Sequence, residues 1–419
     1  MNFRDVLKSV SYQRFDDDIR HDKVVDFIHS KDLRQTPLLL NVEGKKLATN
    51  FLATRDLICG HLGICREDFA PFMVEVSKRD GEITLGEEPE QLELKERKAK
   101  LSDLPVPKYF PHDKARYITA GCVISRLPWS NADDVDAYNV SIHRMMVLDD
   151  RRAAIRLVQP RHTFLMWQEA VGKGKELPIA VSISPHPLFM LAASTRTDMS
   201  EFRYAAKLMG KLELFRLNDM LIPDSEIILF GRITAERVEE GPFVDLTGTY
   251  DRVRLEPVVE FDAMFVKDNP VYYSITPADY EHQLLMGLPY EGEIYKAVSR
   301  VCRVRNVVLT AGGRHYFHAI VQIEKKREGD GKNAILAAFT GHPSLKRVVV
   351  VDEDINIYSS EDVEYAIATR FQAGRDLVVV KGARGSSLDP SAYDNETSDK
   401  WGIDATKELG QGEKYMRVL

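Results

Sequence analysis

Glu240 and Asp245 stand on either side of a Gly-Pro-Phe step in the stretch EEGPFVDLTG. Five fully extended residues would hold their carboxylates about 16 Å apart, whereas a turn at Gly241-Pro242 aims both into one cavity. Two carboxylates so placed can divide acid and base duties, one keeping a proton to donate while a cation holds the other ionised. The same residues also read as a solvated hairpin, because acidic side chains beside Gly-Pro are common in turns. A cation of the right kind occurs in YNVSIHRMMV, where Asn139, Ser141, His143 and Arg144 interrupt an apolar strand. Strict alternation puts Asn139 and Ser141 on the face opposite Arg144. Polar side chains on both faces imply a bulge, a wet cavity or a bound ligand, unless the strand is an edge strand with a surface arginine.

His162 follows Pro160 in QPRHTF, at the expected end of a strand, where a histidine is either structural or a ligand. Asp198 and Glu201 in TDMSEF have the spacing of a capping box, which would explain both acids through helix-end hydrogen bonds. Cys59, His61 and Cys65 suggest a metal site, against which stands their Leu- and Ile-rich, helix-like setting, where buried free thiols are common. The four cysteines form no CxxC pair and are too few for a disulfide framework. Glycine-rich nucleotide loops of the GxGxxG and GxxxxGK[ST] types are missing, as are HExxH and GxSxG.

Positioning these residues takes several elements. The 419-residue chain is 44% hydrophobic and 29% charged, an ordinary globular composition, and its length suggests two or three domains. A formal charge of -7 offers no basic footprint, so nucleic acid is not an expected partner. No apolar run approaches the roughly 20 residues that span a bilayer, and MNFRDVLKSV lacks the apolar core of a signal peptide, so no membrane is expected and a cytoplasmic location is.

Residues 1–112 mix helical periodicity, in DVLKSVSYQ and LATRDLICGHLGI, with strand-like TPLLLNVE and FMVEVS. The charged stretch LGEEPEQLELKERKAKLSD and the proline-rich LPVPKYFPHD read as a connector, with a boundary near residue 110. From Tyr117 to about Val266 short strands dominate, with MSEFRYAAKLMGKLE as the one convincing helix, which predicts a barrel or strongly bent sheet. EHQLLMGLPYEGEIYKAV predicts a helix, and beyond it strand and helix patterns alternate again, with VVVV suited to the centre of a sheet covered on both faces. The tail GSSLDPSAYDNETSDKWGIDATKE is polar enough to predict a flexible terminus.

Taken together and in order, YITAG, NVSIHR, PRH, SEF, EGPFVDLTG, VDEDINI, ATRFQAGRD and DKWGIDAT resemble segments of the UbiD family of reversible decarboxylases, over nearly the whole chain. The resemblance implies a mixed α/β protein: an N-terminal α/β region (1–112), a central split β-barrel that binds prenylated FMN (113–285), and a helical linker with a C-terminal α/β oligomerisation domain (286–419). It implies that Asn139, His162 and Glu201 hold a divalent ion, typically Mn2+, beside the cofactor phosphate, often with K+. An amide oxygen, an imidazole and a carboxylate suit a hard-to-borderline cation. Thr119, Ser141, Ile142, Arg161 and His162 would line the cofactor, and Lys400 is a phosphate contact by position. Arg144, Glu240 and Asp245 would form the catalytic group, with Arg144 orienting the substrate acid and Asp245 protonating the product carbon. Two departures stand out: Val244 occupies a position that is usually glycine, and Asp245 is shorter than the glutamate of other members.

The resemblance is greatest to compact archaeal members, some of which decarboxylate trans-anhydromevalonate 5-phosphate to isopentenyl phosphate. That substrate needs cations beyond Arg144, for which Arg161 and Lys267 are candidates. An aromatic acid such as 4-hydroxybenzoate is the alternative substrate. A non-catalytic flavin-binding subunit and a plain FMN oxidoreductase are further alternatives, which the presence of Arg144, Glu240 and Asp245 disfavours. The expected partners are a flavin prenyltransferase that supplies the cofactor and further copies of the chain, as a homodimer or homohexamer.

Overall fold

The computed structural model describes residues 2–86 and 89–418, the side chain of Pro89 excepted. The chain folds as two compact units, one of residues 1–63 and 78–282, the other of 64–77 and 283–419. Among the described residues no helix is long and apolar enough to cross a membrane.

The first unit opens with a small sheet in which Gln13–Ile19 runs parallel to Leu38–Val42, with helix Val24–Ser30 as the crossover. Leu38–Val42 turns back into Lys45–Thr49 through Glu43 and Gly44, both at positive φ (51° and 75°), the two-residue hairpin geometry that favours glycine. Val271–Tyr273, from far along the chain, adds parallel to Lys45–Thr49.

Among the described residues the larger sheet has nine strands. Its order is Tyr117–Ile118, Met145–Val147, Arg152–Ile155, Arg254–Val266, Ile227–Glu240, Leu177–Ile183, Cys122–Arg126 and Tyr138–Ile142, with Lys95–Lys98 paired to the far end of Arg254–Val266. Tyr138–Ile142, last at one end, continues through only His143 and Arg144 into Met145–Val147, second from the other end. Laid flat, six strand spacings would separate the two by about 29 Å, whereas the chain from Ile142 to Met145 reaches about 10 Å. The sheet must therefore curl until its ends meet. Thr119 to Gly121 make the same jump between Tyr117–Ile118 and Cys122–Arg126. The result is the expected split barrel, with Thr119, His143 and Arg144 on its seam. Val123, Ile179, Val181, Leu229, Val259 and Phe261 fill the interior in one cluster that also takes in Leu38, Leu40 and Leu47 of the small sheet. Shared burial of this kind explains why no break falls near residue 110, while the charged connector joins the sheet as the exposed edge strand Lys95–Lys98, held by its ladder to Arg254–Val266.

Two helices in this unit go beyond the single one expected. His162–Gly172 buries Thr163, Trp167 and Ala170 at helical spacing. Pro187–Ser194 is buried on nearly all sides, so its sequence carries no amphipathic period, and it is started instead by the His186 cap and Pro187.

In the second unit the strand order is Arg303–Leu309, His318–Glu324, Arg347–Asp352, Thr397–Ala405, Leu377–Arg384. The valine-rich Arg347–Asp352 is central as expected: Val348 and Val350 pack with Ile335 and Ala338, while Val349 and Val351 pack with Val363 and Ala366. Two expectations fail here. FMVEVS is not a strand; helix Phe69–Glu75 buries Phe69, Ala70 and Met73, a helical spacing that the Phe72, Val74, Val76 alternation disguises. The polar tail is not flexible throughout, because Thr397–Ala405 pairs on both sides and buries alternate residues such as Ser398 and Lys400.

Candidate active site

Glu240 ends the strand Ile227–Glu240, and Asp245 follows the two-residue strand Phe243–Val244. Between them Gly241 has φ of 100°, a conformation that a side chain would strain. The chain then returns through Tyr250–Asp251, paired with Phe243–Val244, into Arg254–Val266. This hairpin delivers three carboxylates to Arg144. The guanidinium donates from Nε to Glu240 Oε1 at 3.0 Å and from Nη2 to Oε2 at 2.9 Å, a bidentate fork. Nη1 donates to Asp245 Oδ2 at 2.7 Å and Nη2 to Asp251 Oδ2 at 3.1 Å. Arg254 also binds Asp251, and the Arg144 guanidinium stacks 4.6 Å from the centre of the Phe243 ring. Glu240 is 0% exposed, so its charge depends on this pairing. Burial opposes the charge on Arg144, but Glu240 first, then Asp245 and Asp251, outweigh it and raise its pKa. Asp251 is lowered: burial acts against ionisation, and Arg254 and Arg144 overcome it.

The strand Tyr138–Ile142, just before Arg144, carries a different kind of corner. The Asn139 amide nitrogen donates to Thr163 Oγ1 at 2.9 Å and, at 3.3 Å, to Ser141 Oγ. Glu201 is not part of a capping box. Ser200 caps the helix Glu201–Met209, and Glu201 turns inward to accept the Val140 N–H at 2.9 Å. Among the described residues this carboxylate meets no cationic side chain, and burial pushes it up to about 7. A buried acid without a cation beside an amide whose Oδ1 takes no hydrogen bond among the described residues suits a bound metal ion. His162 begins its helix one residue before Thr163 and is exposed, and no contact joins it to Asn139 or Glu201 among the described residues. Among those residues no group of three or more His, Cys, Asp and Glu is placed to hold a metal; the expected set includes an amide and is of another kind.

The other expected residues fall as follows. Ser141 and Ile142 are half-buried at the end of the strand Tyr138–Ile142. Thr119 is buried on the seam, its hydroxyl shared with Tyr109 and accepting the Ile275 N–H. Arg161 is exposed at the head of the His162 helix. Lys267 is not available to a phosphate, being buried against Asp224 at 2.5 Å. Lys400 lies in the second unit, where its ammonium donates to the carbonyls of Pro343 and Leu345 and burial lowers its pKa to about 8. Two of its three donors are thus spent on the fold of that unit. Cys59 is buried and His61 Nε2 lies 3.1 Å from the Phe51 carbonyl, positions that serve packing and not a metal.

Sequence reasoning gave no role to Asp251, Arg254 and Phe243, and it named His143 among the polar residues of its strand without giving it one. His143 is half-buried between Arg156 O and the hydroxyls of Ser141 and Thr163, and desolvation of its ring lowers its pKa to about 4. His282, whose Nδ1 accepts the Ala278 N–H at 3.0 Å, was missed as well; burial lowers its pKa against the pull of Asp245. The only available signal was alternation, which sets His143 on the side of Asn139 and Ser141.

Residues 84–280 match the 3-octaprenyl-4-hydroxybenzoate carboxy-lyase Rift-related domain, and residues 283–405 match the C-terminal domain of the same family. The chain belongs to the UbiD family of carboxy-lyases. It is 56% identical to the anhydromevalonate phosphate decarboxylase of Archaeoglobus fulgidus, over 100% of this chain and 96% of that one. The protein of the same name from Methanosarcina mazei is 47% identical over 93% and 92% of the two chains. The solved UbiD-class enzyme HmfF from Pelotomaculum thermopropionicum, in complex with FMN, superposes with a TM-score of 0.93 at 33% identity, covering 100% of this chain and 97% of that one. An evolved dimeric form of HmfF with prFMN superposes at 0.87 and 31% identity, over 100% and 99%.

Proposed function

We propose that this chain is a cytoplasmic, prenylated-FMN-dependent decarboxylase that converts trans-anhydromevalonate 5-phosphate to isopentenyl phosphate and CO2. The observation that carries this reading is an intact Arg144, Glu240 and Asp245 cluster in a chain 56% identical, end to end, to an anhydromevalonate phosphate decarboxylase. Asn139, His162 and Glu201 would hold Mn2+, with K+ nearby, beside the flavin phosphate, and Thr119, Ser141, Ile142 and Arg161 would line the flavin. When bound, the prenylated flavin supplies the electrophile and the electron sink. A flavin prenyltransferase would provide it, and the chain would assemble with copies of itself, as HmfF does in its evolved dimeric form.

The geometry constrains how the side chains act. Four of the five N–H groups of Arg144 are given to Glu240, Asp245 and Asp251, so one hydrogen on Nη1 remains for a substrate. A substrate carboxylate gains a firmer hold on Nη1 only by displacing Asp245, whose other oxygen stays on the Leu246 N–H at 2.7 Å. Displacement frees Asp245 to take a proton from solvent and deliver it to the carbon that loses CO2. Glu240, on Nε and Nη2, keeps Arg144 aimed throughout.

The test is co-expression with a flavin prenyltransferase, mass spectrometry of the bound cofactor, and CO2 release from trans-anhydromevalonate 5-phosphate and from 4-hydroxybenzoate. Prenylated FMN with CO2 from the phosphorylated acid alone is expected. CO2 from 4-hydroxybenzoate instead would replace the substrate, and unmodified FMN with no CO2 from either would overturn the enzyme.

A further inference from the structure

We infer that His143 is a positioning residue that sets the polarity of the Asn139 amide, so that its oxygen and not its nitrogen faces the cation. This rests on the proposal that Asn139 is a metal ligand. His143 Nδ1 lies 2.9 Å from the Arg156 carbonyl, and since a carbonyl only accepts, Nδ1 carries the hydrogen. In the neutral imidazole Nε2 is then an acceptor, with Ser141 Oγ at 2.8 Å and Thr163 Oγ1 at 3.0 Å. The two hydroxyls are 2.9 Å from each other. One donates to Nε2 and the other donates to the first, which commits both hydroxyl hydrogens inside the triangle. Whatever Asn139 presents to these oxygens must therefore donate, so its nitrogen faces them, at 2.9 and 3.3 Å, and Oδ1 points away. Glu201, bound to the N–H of the adjoining Val140, supplies the neighbouring oxygen ligand.

Without the Nε2 acceptor, a hydroxyl hydrogen is released to seek Oδ1. The amide can then turn over and offer its N–H groups to a cation, which they repel. A glutamine at 143 places an amide oxygen near the position of Nε2 and restores the acceptor, whereas phenylalanine keeps the ring and loses it.

The experiment titrates Mn2+ into the full-length chain in excess FMN and reads binding by the EPR signal of free Mn2+. Asn139→Ala and His143→Phe should each weaken Mn2+ binding by about 10- to 100-fold, the usual effect of removing a ligand's support, and His143→Gln should recover most of it. In an Asn139→Asp background, where no nitrogen can turn toward the metal, His143→Phe should cost no more than about 3-fold by the same reasoning. Equal loss for the Phe and Gln variants, or full-strength loss in the Asp background, would show a packing role and overturn the inference. Unchanged binding in Asn139→Ala, or no binding by the parent chain, would instead overturn the metal site on which it rests.

Discussion

Two buried acidic corners, one at Asn139 on the strand Tyr138–Ile142 and one at Arg144 just past its end, are built in opposite ways. Around Arg144 three carboxylates share two guanidiniums, and the fully buried Glu240 is held by a bidentate fork. Around Asn139, five residues back along the chain, Glu201 has backbone N–H donors, that of Val140 and its own, and, among the described residues, no cationic side chain. The first corner carries its own counter-charge and keeps its shape when empty. The second is left short of positive charge, and a cation bound there, as proposed for Mn2+, would stabilise it. A buried ion pair and the proposed metal site would thus differ by whether the fold supplies the cation itself.

The largest expected effect tests the first half of that contrast. Arg144→Leu leaves Glu240 buried without a partner and should cost about 3–5 kcal/mol in urea denaturation, with CO2 release lost. A cost below about 1 kcal/mol would mean that the cluster is not held together by this charge.

Glu281 sharpens the contrast, because its buried carboxylate has donors without a cation: the Asn50 and Leu52 N–H groups and the Tyr273 hydroxyl. Burial still pushes it up to about 7 from 4.5. A raised pKa contributes stability that is complete below about 4.5 and is lost as pH rises through about 7, roughly 3 kcal/mol across that window. Glu281→Gln should flatten this part of a stability-versus-pH curve, and an unchanged curve would show that its three donors offset burial.

The most direct comparison is one substitution made at each corner. In protein stripped of divalent ions at pH 8, Glu240→Gln should destabilise by about 1–3 kcal/mol and Glu201→Gln should stabilise by a similar amount. Saturating Mn2+ should reverse the sign at Glu201 alone. Destabilisation at both positions without metal would break the comparison. The smallest effect is expected for Asp251→Asn, which removes one shared oxygen and leaves the Glu240 fork in place; kcat/KM should fall by about tenfold, equivalent to about 1.4 kcal/mol.

The residues that meet at Arg144 were partly legible. Glu240 and Asp245 flank a Gly-Pro turn, a local signal, and the family resemblance pairs them with Arg144. Asp251 carries no such signal, because its place depends on the hairpin register that sets it opposite Phe243. The Glu201 corner was misread locally, since a capping box is a short-range pattern whereas the inward turn of Glu201 depends on the Val140 N–H, 61 residues away. Helix Pro187–Ser194 and strand Thr397–Ala405 escaped for related reasons. Burial on all sides erases helical periodicity in one, and pairing with distant strands orders a polar segment in the other.

By itself the amino-acid sequence determined the short-range features: the many short strands, the valine-rich central strand, the turn at Gly241-Pro242, and the shared side of one strand that Asn139 and Ser141 occupy. These follow from alternation and turn chemistry, which act over a few residues. Tertiary structure alone decided that the two ends of the larger sheet meet at His143 and Arg144, that Asp251 joins Glu240 and Asp245, and that Lys267 is spent on Asp224. Each of these needs strands far apart in the chain to pair in one register, and the energy that selects the register is burial of a shared core, which no local window contains.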